Sequence, residues 1–119
     1  YLKTLSTAIT STLLENIEEI QPNKVNSQIE IQVQDIEDWY KHIERSPRNP
    51  VVFYLQHNNY KKLYKLTKDN LYLHEALKYI TTAIDLTCNE DITYIVNRCL
   101  LNITMKNYKD AIIESYSYI

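Results

Sequence analysis

Glycine is missing from all 119 residues of this chain. Phosphate-cradling loops, nucleophile elbows and dinucleotide-binding turns need backbone conformations that glycine adopts at little energetic cost. Two-residue β-hairpin turns also favour glycine, because their φ angles are positive. The composition therefore argues against several classes of enzyme and against most all-β folds.

Basic charge, cysteine and long apolar runs are also scarce. A formal net charge of −2 argues against a surface that binds nucleic-acid phosphates. Cys88 and Cys99 lack the spacing of a zinc site or a redox pair, so we expect two buried thiols in a reducing compartment, cytoplasmic or nuclear. No segment approaches the roughly 18 apolar residues of a membrane span. Because the chain begins with Tyr1, we interpret it as an excised fragment or a processed product.

Apolar residues make up 45% of the chain, and they recur at steps of three and four. This spacing is typical of amphipathic α-helices in a globular domain. The apolar stripes of the six predicted helices run from Leu2 to Ile20, Ile29 to Ile43, Val52 to Leu66, Leu73 to Ile84, Ile92 to Ile103 and Ala111 to Tyr116.

Polar residues and prolines mark the ends of these helices. Pro22 is predicted to end the first helix, and Ser27–Glu30 reads as a capping box that starts the second. Asn49 before Pro50 predicts a helix start. Proline has no backbone N–H, and the first turn of a helix does not use that hydrogen-bond donor. Further starts and turns are predicted at Lys68–Asn70, Asn89–Asp91 and Asn107.

One stretch supports two interpretations. Ile29, Ile31 and Val33 alternate with polar residues, which is a strand pattern over residues 27–34, and Asp35 would then cap a shorter helix. We favour a single long helix, because the apolar stripe continues for two more turns and only Ile31 departs from it.

The chain also repeats itself. "HEALKYITTAIDL" and "KDAIIESYSYI" share an acid-Ala-aliphatic pattern, and their alanines, Ala76 and Ala111, stand 35 residues apart. Pro47 precedes Cys88 by 41 residues. Three helix pairs at this spacing predict stacked α-hairpins, in which each hairpin buries a face against the next.

These residues resemble the tetratricopeptide repeat family, best over 71–119, less closely over 49–70 and weakly over 1–48. Ala76, Ile80, Ala83 and Cys88 match the family's second helix, with Cys88 where proline is usual. Asn107-Tyr108 matches the corner between helices, where the resemblance places Tyr108 as a wedge. Lys106 stands where the turn usually has glycine.

The resemblance implies an all-α fold, a short right-handed solenoid of about three antiparallel helical hairpins. Residues 1–48 would form a divergent helix pair, and residues 49–88 a repeat about seven residues too long, in its first helix or in the loop near Lys68. Residues 89–119 would form a further repeat.

Such a fold implies an adaptor that binds a peptide or a partner helix of another protein in a concave groove. The first helix of each pair would line that groove. The groove residues predicted from starts at Pro50 and Ile92 are Tyr54, Asn58, Lys61, Lys62, Thr93, Val96, Asn97, Leu100 and Thr104.

A narrower hypothesis is binding of a chaperone's C-terminal tail. Asn97-Arg98-Cys99 resembles the Asn-Arg-Ala of co-chaperone repeats that hold a terminal carboxylate, and Asn58 matches the corresponding asparagine of the first repeat. Tyr54, however, stands where that clamp uses lysine, and the cations of a third repeat are absent from this sequence. The clamp would therefore lose most of its charge-assisted bonds.

Other functions are less well supported. His42, His57 and His74 fall on three predicted helices without a nucleophile nearby in sequence, so we expect neither catalysis nor a cofactor, metal or small-molecule substrate. A passive helical segment of a larger assembly remains an alternative.

Lys61, Lys62 and Lys65 interleave with Tyr60 and Tyr64, a pattern that can bind single-stranded nucleic acid. We favour a solvated lysine face with the tyrosines in the core.

Overall fold

A computed structural model describes residues 22–117 of the chain. Five helices occupy this part, and we number them in chain order. They are α1 Pro22–Arg45, α2 Pro50–Thr67, α3 Asn70–Leu86, α4 Ile92–Thr104 and α5 Tyr108–Ser117. No strand occurs within residues 22–117, so the all-α expectation is confirmed there. The helix predicted over 2–20 lies outside the described residues.

α1 decides between the two interpretations of residues 27–34. The whole stretch is helical, so the strand alternative is wrong. The predicted capping box is also wrong, because the helix begins at Pro22 and Ser27 lies in its second turn. Proline fits the first turn of a helix as well as it ends one. Ile31 is 64% exposed while Ile36 is buried, as the long-helix stripe predicts.

The starts of α2, α3 and α4 each have a side-chain cap. In each case an oxygen of the residue before the helix accepts a hydrogen bond from the backbone N–H two residues on. The pairs are Asn49 with Val51 at 3.0 Å, Asp69 with Leu71 at 3.0 Å and Asp91 with Thr93 at 2.9 Å. Each cap of this kind stabilises a helix by about 1 kcal/mol. The predicted starts at Asn49, Lys68–Asn70 and Asn89–Asp91 are thus confirmed.

The turns use left-handed backbone without glycine. Lys68, Cys88, Asn89 and Lys106 have φ angles of 57°, 54°, 62° and 63°. This conformation costs a residue with a Cβ about 1–2 kcal/mol. Cys88 is exposed in its turn and Cys99 on α4 is only partly buried, so the expectation of two buried thiols is wrong for Cys88 and only partly met at Cys99. Cys88 lies beyond Thr87, the C-cap residue of α3, in the turn before α4.

The helices pack mainly in chain order: α1 on α2, α2 on α3, α3 on α4 and α4 on α5. Two residues connect α2 to α3, which makes this pair a helical hairpin. The middle of α3 is the centre of the core, where Ala76, Ile80, Ala83 and Ile84 are fully buried. The small alanines allow the backbones of neighbouring helices to approach closely.

The lengths of two helices and the place of Tyr108 bear on the predicted repeats. α2 has 18 residues and α4 has 13, and only two residues connect α2 to α3, so the loop near Lys68 is short. Tyr108 is 54% exposed and is not a wedge between helices. It occupies the first position of α5, and the nearby Met105 is partly buried against the core.

Candidate functional site

A cleft between α1 and α2 contains three of the nine predicted groove residues. Its volume is about 470 Å³. We call it the lysine cleft, and it is lined by Asp35, Trp39, Leu55, Asn58, Asn59, Lys61, Lys62 and Lys65. α2 has no acidic residue along its 18 positions, so one helix gives this cleft a concentrated positive charge in a chain whose net charge is −2.

The three lysines of the cleft have no counter-ion among residues 22–117. No carboxylate of this part of the chain lies within ion-pair distance of Lys61, Lys62 or Lys65, even though Asp35 lines the opposite wall. Lys61 is half-buried, and burial lowers the pKa of its ammonium group. The neighbouring charge of Lys65 lowers it further. A bound anion would relieve both penalties.

A buried polar network fixes the floor of the cleft. Gln32 Nε2 donates to Asn59 Oδ1 at 3.4 Å, and Asn59 Nδ2 donates to Gln56 Oε1 at 3.1 Å. Gln56 Nε2 then donates to the backbone oxygen of Ile36 at 3.0 Å. The network crosses from α1 to α2 and back, so it sets how the two walls of the cleft face each other. No sequence pattern predicted that Gln32, Gln56 and Asn59 would be buried beside a site.

The tyrosines near the cleft belong to the core. Tyr60 is buried, its hydroxyl bonds to that of Tyr40, and its ring stacks on Tyr79 with centroids 5.5 Å apart. Burial raises the pKa of Tyr60, and the bond to Tyr40 raises it further. Tyr64 is partly buried, with Lys68 Nζ 5.8 Å from its ring centre. The buried ring of Tyr60 therefore lacks the open face that base stacking requires.

His57 lies completely buried in α2, with no exposed surface. Its Nδ1 is 3.3 Å from the backbone oxygen of Tyr54, an arrangement in which Nδ1–H donates. The other ring nitrogen, Nε2, has no hydrogen-bond partner. Burial, reinforced by the charge of Lys61, lowers the pKa of His57 to about 4. The imidazole is therefore neutral at pH 7.

The remaining groove residue of α2 reaches α4. The rings of Tyr54 and Tyr94 lie 5.1 Å apart and tilted, which links the two helices. Tyr54 also stacks on His57, with ring centres 5.7 Å apart. These aromatic contacts hold Tyr54 within the packing between α2 and α4.

Two predicted groove residues of α4 bond to their own helix. Asn97 Nδ2 donates to the backbone oxygen of Thr93 at 2.8 Å, and Thr104 Oγ1 donates to that of Leu100 at 3.0 Å. Thr93 itself lines a separate depression beside the turn after α3. One of the two N–H donors of the Asn97 amide, which a carboxylate clamp would use, is thus already engaged.

Val96 and Leu100 line a second groove, between α4 and α5. It has a volume of about 460 Å³ and no charged lining residue. We call it the α4/α5 groove, and its lining residues are Ile92, Ile95, Val96, Cys99, Leu100, Ile103 and Ser115. The predicted groove residues are therefore divided between this groove, the lysine cleft and the surface between them.

The described part of the chain holds neither a metal site nor a membrane span. His42, His57 and His74 lie on α1, α2 and α3, and residues 22–117 contain no group of three His, Cys, Asp or Glu side chains that could hold a metal ion. Within the same residues, no helix has both the length and the apolar character needed to cross a membrane. No protein-family model, curated protein or solved structure matches this chain.

Proposed function

We propose that the chain is a non-catalytic protein-interaction module, an adaptor that binds an acidic peptide segment of another protein in the lysine cleft. The module would be a solenoid of tetratricopeptide type, in which α2/α3 and α4/α5 are successive hairpins. Packing in chain order and the buried Ala76, Ala83 and Ala111 support this architecture.

The lysine cleft is the observation that carries the proposal. Lys61, Lys62 and Lys65 provide ammonium groups that have no carboxylate partner in the described part of the chain. Charge-assisted bonds to carboxylates are among the stronger polar contacts in proteins. Asn58 adds an amide that can bond to a peptide backbone, and Trp39 adds a partly buried aromatic wall. This combination suits side-chain carboxylates on an extended segment with an apolar residue between them.

Contacts elsewhere support side-chain carboxylates over a chain-terminal one. A terminal clamp would use the amide of Asn97, which bonds to Thr93, and a cation at position 54, where Tyr54 packs against Tyr94. Nucleic acid is a weaker candidate than an acidic peptide, because Tyr60 is buried and cannot stack on a base.

A direct test measures binding of a fluorescein-labelled oligoglutamate peptide with flanking leucines by fluorescence anisotropy. We expect the Lys61→Gln/Lys65→Gln double variant to bind about tenfold more weakly than wild type, a loss of about 1.4 kcal/mol. Binding should also weaken as salt is raised, because the contacts are ionic. Lys109→Gln is the matched control, since Lys109 is an exposed lysine on α5.

Two results would contradict the proposal. One is a double variant that binds the peptide as tightly as Lys109→Gln does. The other is a labelled oligothymidylate that binds more tightly than the peptide and depends on the same lysines, which would assign the cleft to nucleic acid.

A further inference from the structure

A row of large apolar side chains runs along the outer side of α4 and another along α5. Each of these side chains is close to half exposed or more, and Leu100, near the middle, is 53% exposed. We call the two rows together the apolar face, and its residues are Ile92, Val96, Leu100, Ile103, Tyr108, Ile112 and Tyr116.

The two rows form one continuous surface. Steps of three and four residues place the members of each row on one side of their helix. The rows meet at Cys99 and Ser115, where Ser115 Oγ lies 3.9 Å from Cys99 Sγ. Arg98 Nε bonds to Glu114 Oε1 at 2.9 Å, and Arg98 lies about 100° around the helix from Cys99. The ion pair thus holds α4 against α5 without entering the face.

The apolar face matches the apolar part of a protein interface in size. Its two tyrosines present about 130 Å² each, from the 150–250 Å² that an aromatic side chain buries. Its five aliphatic side chains, each about half exposed or more, present about 50 Å² each, from a burial free energy of about 1.5–3 kcal/mol at about 25 cal/mol per Å². The total of about 500 Å² is near the upper end of the 300–600 Å² of the largest apolar patch on a typical monomer. A standard interface buries about 800 Å² on each partner, of which roughly 60% is apolar, so the face is large enough for a stable dimer.

We propose that the apolar face pairs with the same face of a second copy of the chain about a two-fold axis. The two α4/α5 pairs would then pack as a four-helix arrangement. A two-fold interface brings each patch against itself, so a charged patch would repel its copy. None of the seven residues is charged, which removes that penalty. The lysine cleft, by contrast, cannot pair with itself.

The test is the oligomeric state in solution, measured by sedimentation velocity over micromolar to hundred-micromolar concentrations. We expect wild type to dimerise and Leu100→Glu to dissociate at least a hundredfold more readily, because two buried carboxylates would face each other near the axis. Ile112→Glu tests the second row in the same way. Leu71→Glu is the control, since Leu71 is 59% exposed on α3 outside the apolar face.

A mixture of Leu100→Glu and Leu100→Lys provides a sharper measurement. Each variant alone should be monomeric, and the mixture should recover dimers through opposite charges at the axis. Wild type that stays monomeric throughout, Leu100→Glu that dimerises like wild type, or a mixture that does not associate would each overturn the pairing. The proposal does not depend on the lysine cleft, and oligoglutamate binding by monomeric Leu100→Glu tests the cleft separately.

Discussion

His57 is held in its neutral form by burial, and this should make the stability of the domain depend on pH. The pKa of His57 falls from 6.5 to about 4 on folding. A folded-state pKa below the unfolded value means that the native state resists protonation. The contribution of neutral His57 to the free energy of unfolding is complete above pH 6.5 and is lost as the pH falls towards 4.

We expect this single group to cost wild type about 3 kcal/mol of unfolding free energy between pH 7 and pH 4. Urea unfolding of wild type and His57→Gln at several pH values measures it. The amide of glutamine does not titrate, so His57→Gln should lack this part of the slope while retaining the part due to carboxylates. Parallel curves for the two proteins would show that His57 protonates as easily in the folded state as in the unfolded chain.

Replacing a turn residue that has a positive φ by glycine should increase the stability of the domain. Lys106 has a φ of 63° between α4 and α5, and glycine adopts this angle without the penalty of a Cβ. Lys106→Gly should raise the unfolding free energy by about 0.5–1 kcal/mol, after the entropy that glycine adds to the unfolded chain is subtracted. Thermal unfolding provides the measurement. Lys109→Gly, inside α5, should instead lower stability, and a loss at both positions would mean that the turn carries no strain.

The two walls of the lysine cleft depend on how α1 lies against α2. Gln56→Ala would leave the Asn59 amide and the Ile36 oxygen without their buried partner, which should cost about 3 kcal/mol of stability. It should also weaken oligoglutamate binding, although no lysine is changed. Gln34→Ala is the control, because Gln34 bonds to Asp38 on the exposed side of α1. Equal effects of the two variants would show that the network does not position α1.

Close contact around α3 requires its alanines to stay small. Ala83 is fully buried between neighbouring helices, so Ala83→Leu would force side chains or backbones apart. We expect a loss of about 1–3 kcal/mol in chemical unfolding. His74→Leu adds leucine at an exposed position of the same helix and should change stability by less than about 0.5 kcal/mol. Tolerance of Ala83→Leu would mean that α3 is loosely packed.

Over the whole molecule, the sequence predicted helices better than contacts between them. α2 and α4 could be placed because Asn49 and Asp91 combine a capping oxygen with an apolar stripe. The start of α1 was misplaced, since Pro22 and Ser27 are both starting signals and only the structure shows which one is used. A single capping residue and its apolar stripe are thus enough to place a helix. Where two starting signals compete, the packing of the helix against the rest of the protein decides between them.

The lysine cleft, too, was predictable within one helix and not between helices. Asn58, Lys61 and Lys62 were predicted to share a surface because they follow one side of α2. Asp35 and Trp39 could not be added, since the facing wall depends on the packing of α1. Gln56 and Asn59 were missed because polar residues usually indicate a solvent-facing position, and their burial is possible only through bonds that cross between helices.

Packing in chain order has a consequence for motion. Within residues 22–117, α3 has principal neighbours on both sides, whereas α5 has α4 alone. A helix with a single packing partner opens more easily than one with partners on both sides, so amide hydrogens should exchange fastest in α5 and slowest around the fully buried Ile80 and Ile84. A molecule that binds α5 would slow hydrogen exchange in this helix. The exchange rates of α5 would therefore detect binding before the partner is known.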